Sequence, residues 1–160
     1  MKRLFALAVV LVVLVSSMSV VGATASQAVS GTWQLASIIS ASAQPVGENC
    51  IIELVDTASF QGDLVGTSTQ HTRIMHFGPC DQPAAEVFQS QGTFEGTVAG
   101  AAGTFDFQLL GKADTQGNVQ GPLVVLTGTG DLTNLHGQLT LTGQLPSLLN
   151  GAYSGDIHFD

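Results

Sequence analysis

Few side chains in this sequence can do chemistry, and their spacing limits what that chemistry is. Its four Lys and Arg residues are Lys2, Arg3, Arg73 and Lys112. Arg73 stands in the run His71-Thr72-Arg73-Ile74-Met75-His76-Phe77. On a strand alternate side chains face opposite sides, so His71, Arg73, Met75 and Phe77 share one face. With Phe77 turned inward, Arg73 and His71 point inward too, and a guanidinium among aromatics is a receptor for the carboxylate of an apolar acid. With Ile74 turned inward, Arg73 is a solvated strand residue. Both arrangements fit the pattern. His71 and His76 are five apart and face opposite sides of a strand, so regular pairing does not bring them to one metal. Asp156, His158 and Asp160 do share a face; three such side chains can hold a surface metal or simply face water. Gly128-Thr129-Gly130 lacks the lysine and following helix of a phosphate loop, and no G-x-S-x-G elbow occurs. No catalytic residue, metal ligand set or cofactor is assigned on these grounds.

Cys50 and Cys80 are the two cysteines. Their redox state depends on where the chain goes, and the N-terminus addresses that. Met1-Lys2-Arg3 is basic, Leu4 to Val15 is apolar, and Ala23-Thr24-Ala25 closes the segment with small residues. Those are the three parts of a secretory signal peptide. The expected organisation is therefore a signal at 1–25 and one domain at 26–160. Leu4 to Gly22 is long enough to be weighed as a retained anchor, but Ser16, Ser17, Ser19 and Gly22 dilute its second half and no positive charge follows. With cleavage, no stable membrane span is expected, and the location is secreted, periplasmic or cell-envelope. An even cysteine count in an oxidising compartment points to a Cys50–Cys80 bridge, weighed against two free thiols.

The formal charge is −8. Losing Lys2 and Arg3 with the leader removes two positives and takes it to −10. Such a surface repels phosphate backbones, which argues against nucleic acid as a partner. The sequence does not fix the oligomeric state.

The elements that must position these residues are strands. Charged residues are 10% of the chain and there are 19 glycines. Beyond the leader, period-two runs recur where helical periodicity is broken by Gly or Pro. Phe60, Gly62, Leu64 and Gly66 alternate with polar neighbours. Phe88, Ser90, Gly92, Phe94, Gly96 and Val98 share a face, as do Phe105, Phe107 and Leu109, then Leu139 and Leu141, then Tyr153, Ile157 and Phe159. The segments 31–38, 50–55, 69–77 and 119–126 also look extended, which makes eight or nine strands. Loops are expected at 41–49 and 78–85, a tight hairpin at Gly100-Ala101-Ala102-Gly103, and a turn at Asp114 to Asn118. Phe60 to Gly66 and Phe94 to Gly100 both read F-x-G-x-x-x-G. Inward glycines let a sheet coil sharply and leave room for a large neighbour. The expected fold is all-β, a single closed antiparallel barrel of about eight strands, favoured over a two-sheet sandwich.

Several motifs carry a family resemblance. Gly31-Thr32-Trp33 opens the domain, Phe60-x-Gly62 and Phe94-x-Gly96 follow, and Gly100 to Phe105 gives a G-x-x-G-x-F element. Thr127-Gly128-Thr129-Gly130-Asp131-Leu132, Leu135-His136-Gly137 and Tyr153-Ser154-Gly155-Asp156-Ile157 complete the order. Over roughly 31–160 the chain resembles an uncharacterised bacterial domain family with the allene oxide cyclase-like, dirigent-related β-barrel. The resemblance implies an eight-stranded antiparallel barrel and no known activity, and no cyclase residue maps onto this sequence.

A barrel of eight strands is either filled by its own side chains or wide enough for one small ligand. Phe60, Phe94, Phe105, Phe107 and Tyr153 are the candidates to line such a site, with Arg73 and His71 as its polar groups. The expected function is holding a small apolar ligand without enzymatic turnover. The alternatives are cyclase- or dirigent-like steering of a reactive intermediate, and a filled structural barrel acting through its surface.

Overall fold

The computed structural model describes residues 25–145 and 150–160. The expected leader lies outside the described residues except for Ala25. Eight strands follow in order: β1 (Gln27–Val46), β2 (Asn49–Gly62), β3 (Leu64–His76), β4 (Glu86–Val98), β5 (Ala101–Ala113), β6 (Asn118–Gly130), β7 (Leu135–Gln144) and β8 (Asn150–Phe159). Each pairs antiparallel with the next, and β8 pairs with β1, so the sheet closes into a ring.

Alternation in the sequence decides which side chains enter the ring. On β5, Phe105, Phe107 and Leu109 are buried while Asp106 and Leu110 are exposed. Leu135, Leu139 and Leu141 on β7 and Tyr153 and Ile157 on β8 are buried in the same rhythm. The outer face is dominated by Thr, Gln and acids, as in Gln89, Gln91, Thr93 and Glu95 on β4. Among the described residues no helix is long and apolar enough to cross a membrane.

Glycine makes the closure possible where the rings are largest. Phe60, Gly66, Gly96, Gly103 and Gly130 are successive register partners on β2 to β6. A Cβ on Gly66 or Gly96 would lie 2.9 or 3.0 Å from the Phe94 ring. The Phe94 ring therefore occupies the room that those two missing side chains leave. β-Bulges interrupt β1 between Leu35 and Ser37 and between Ile38 and Ser40, and the β5–β6 pairing at Asp106/Phe107.

Three sequence expectations need correction. The alternating run from Phe60 through Gly66 is not one strand but two. Gly62 takes φ +110°, and the chain turns at Asp63. That turn is tied down from both sides: Asp63 N–H donates to Ser30 O at 3.0 Å, and Ala99 N–H donates to Asp63 O at 2.8 Å. The expected loop at 41–49 is mostly strand, because its small residues keep register with β2 from Ala41↔Leu54 to Val46↔Asn49. Only Gly47 and Glu48 form the turn. The hairpin expected at Gly100 to Gly103 is shorter, since Ala99 and Gly100 make the turn with φ 50° and 90°. The turn at Asp114 stands as expected, with its carboxylate accepting from Gln116 N and Asn118 N, both at 2.9 Å.

Candidate functional site

The five aromatic candidates meet inside the ring. Phe94 and Phe105 stack with centroids 4.8 Å apart. Phe60 meets Phe94 edge-on at 5.7 Å and Tyr153 at 5.9 Å, and Phe105 meets Phe107 at 6.3 Å. None of the five is more than 5% exposed, so each ring's neighbour is another ring. Leu132, from the turn after β6, is fully buried in the same cluster and lies over Gly103. The Tyr153 hydroxyl accepts from Leu64 N–H at 2.7 Å and faces the Gln61 carbonyl at 3.2 Å. Burial holds its phenol above the usual range, and so neutral.

Arg73 and His71 are not with them. Phe77 is 52% exposed, and Arg73 and His71 share its outward face and are exposed, while Ile74 is half-buried. The inward guanidinium is therefore replaced by the solvated arrangement. The reason lies in β3, whose inward face is the one that holds Leu64, Ser68, Thr72 and His76, buried at every fourth residue, with Gly66, Gln70 and Ile74 half-buried between them. Arg73 lines an open outer groove of about 360 Å³ with Met75, Val87, Gln89 and Leu110. A second, more polar groove of about 240 Å³ lies by Thr32, Gln34, Ser59, Gln61 and Asn150.

The disulfide joins Cys50 and Cys80, with their Cα atoms 5.1 Å apart. It pins the Gly78–Ala85 loop against the start of β2. His76 holds the same loop from inside. Its Nδ1 lies 2.8 Å from Glu86 Oε1 and its Nε2 lies 2.8 Å from the Gln82 carbonyl. Both partners are acceptors, so the fully donating imidazolium suits this geometry. The hydrogen bond with Glu86 is the main reason that the His76 pKa is raised; burial opposes it.

The sequence reading missed a polar group in the ring. Asp56 is 3% exposed. Gln70 Nε2 donates to its Oδ1 at 2.8 Å, and Thr72 Oγ1 lies 3.5 Å from its Oδ2. Thr72 and Ser90 share a hydrogen bond of 2.8 Å. Burial pushes the Asp56 carboxyl above its usual range, against the lowering pull of Gln70 and Thr72. No cation balances this carboxylate among its hydrogen-bonding partners. Period-two patterning offered a signal: Ser68, Gln70 and Thr72 fall on the face of Leu64. It was masked because the other face of β3 is polar as well.

At the opposite end of the chain His136 and His158 are register partners with stacked rings 5.2 Å apart. Their Nε2 atoms lie 3.2 and 3.7 Å from the two oxygens of Asp160. Among the described residues no group of three His, Cys, Asp or Glu is arranged to hold a metal ion.

Fold and interior together define a class: an eight-stranded antiparallel ring with a clustered aromatic core and one disulfide-held loop. The chain belongs to the family described as Protein of unknown function (DUF3224), whose model matches residues 23–146. Among solved structures it is similar to a protein of unknown function from that family from Shewanella oneidensis MR-1, with 20% identity and a TM-score of 0.66. The similarity covers 85% of this chain and 98% of the other. At that identity the likeness speaks for the fold. No curated protein matches the chain.

Proposed function

We propose that the protein is an exported module with a filled ring, which acts through its outer surface. The observation that carries this reading is the mutual packing of Phe60, Phe94, Phe105, Phe107 and Tyr153. Where these rings meet, side chains that already touch one another occupy the space that a ligand would need, which supports the reading. The leader-like N-terminus supports export, and the Cys50–Cys80 bridge is compatible with an oxidising location. Kinship with allene oxide cyclase-like barrels remains part of the proposal at the level of fold. Steering of a reactive intermediate needs a hollow interior, and the aromatic packing speaks against one.

A second reading has one observation in its favour. Asp56, with Gln70, Thr72 and Ser90, is a polar group inside the ring, and the half-buried Ile52, Leu54, Ile74 and Phe88 lie on the inward face of the same strands. A small amphiphile could place a hydrogen-bonding head there and its apolar body along those side chains.

The two readings separate by native mass spectrometry of the protein purified from its own cells without reductant. A bare polypeptide mass, less two hydrogens for the bridge, is expected. A reproducible excess, beyond whole copies of the chain, that disappears on denaturation would overturn the filled-ring reading in favour of the second.

A further inference from the structure

β1 has neighbours on both sides only at its start. Gln27 to Gln34 pair with β8, but from Ser37 to Val46 the strand pairs, among the described residues, with β2 alone. All residues from Ala36 to Val46 are exposed, with Ile39 at 61%. A strand edge with unpaired N–H and C=O groups is a template for another strand, and proteins blunt it with charge, proline, bulges or a covering segment; Pro45 stands at the far end of this one. Here the whole of β1 is uncharged. Its bulges lie before Ser40, and from Ser40 to Gln44 the register with β2 runs without a break.

We infer that this free edge pairs antiparallel with the same edge of a second copy of the chain, about a two-fold axis at Ser42. The inference rests on the reading that the protein works through its outside, and it names one partner. The chain itself carries the matching uncharged edge, and charge decides where two copies can meet. All twelve Asp and Glu lie beyond β1, against Arg73 and Lys112 as the mature chain's basic residues. Two such copies repel each other over most of their surfaces, and the uncharged strip is where they approach at least cost. Antiparallel pairing about a two-fold is self-complementary, so one sequence serves both sides. Ser40-Ala41-Ser42-Ala43 has small side chains that let the two backbones meet. Pairing about Ser42 sets Ser40 opposite Gln44 and Ala41 opposite Ala43 of the second copy.

Sedimentation velocity over a range of concentrations tests this on the protein purified from its own cells. A dimer is expected. Ser42→Lys sets two like charges face to face at the axis and should raise the dimer's dissociation constant about tenfold or more. Val65→Lys, at an exposed position on β3, should leave it unchanged. Ser42→Cys should give an interchain disulfide on a non-reducing gel. A monomer at all concentrations, or a dimer indifferent to Ser42→Lys, would overturn the inference. Native mass spectra of the same samples report bound ligand separately, so failure of the dimer and failure of the filled ring are told apart.

Discussion

The hydroxyl of Tyr153 on the last strand takes the N–H of Leu64 at 2.7 Å, across 89 residues of chain. That single contact ties β8 to the β2–β3 turn from inside the ring. Tyr153→Phe keeps the ring's volume and leaves a buried N–H unpaired. The expected cost is about 1–3 kcal/mol in urea unfolding. An unchanged midpoint would mean that the turn is held by Asp63 and its backbone partners alone.

The Cys50–Cys80 bridge closes a separation of 30 residues. On the loop-entropy estimate, its removal by Cys50→Ala with Cys80→Ser should lower stability by about 3–4 kcal/mol. Denaturant melts with and without reductant provide the check: reductant should lower the midpoint of the native protein and leave the double variant unaffected.

His76 makes the loop contact sensitive to pH. Its folded pKa is raised above the ordinary 6.5, chiefly by the hydrogen bond with Glu86. The stabilisation is therefore fully present below about pH 6.5 and fades as pH rises through the raised value. Melting temperatures of the native protein and of Glu86→Gln should differ most on the acid side and converge as pH increases. A gap that widens with pH would contradict the charged pairing.

Asp56 has the opposite linkage. Its folded pKa is also raised, but it is an acid, so the ionised form costs stability above that value and the cost fades as pH falls toward 3.8. Asp56→Asn can still accept from Gln70 and can donate to Thr72. It should melt higher than the native protein at neutral pH and lose that advantage in acid. If it melts lower at neutral pH, the hydrogen bonds of the carboxylate outweigh its burial.

The closed ring and its aromatic core were legible because Phe105, Phe107, Leu139, Leu141 and Tyr153 alternate with polar residues at period two. The fate of Arg73 was not. His71 to Phe77 has apolar side chains on both faces, Ile74 on one and Met75 and Phe77 on the other, so alternation alone permits either orientation. The β2–β3 turn was hidden for a related reason. Phe60, Gly62, Leu64 and Gly66 keep their period across Asp63, and only the positive φ of Gly62 breaks the strand. Asp56 lay beyond the sequence reading because a carboxylate at an inward position looks like a surface residue until its partners on β3 are in place.

The filled interior is tested most directly by Phe94→Ala. Phe94 is 1% exposed and touches both Phe60 and Phe105. Removing its ring from a packed core should cost about 3–5 kcal/mol in equilibrium denaturant unfolding. A cost below about 1 kcal/mol would mean that the ring borders open space, and would contradict a ring filled by its own side chains.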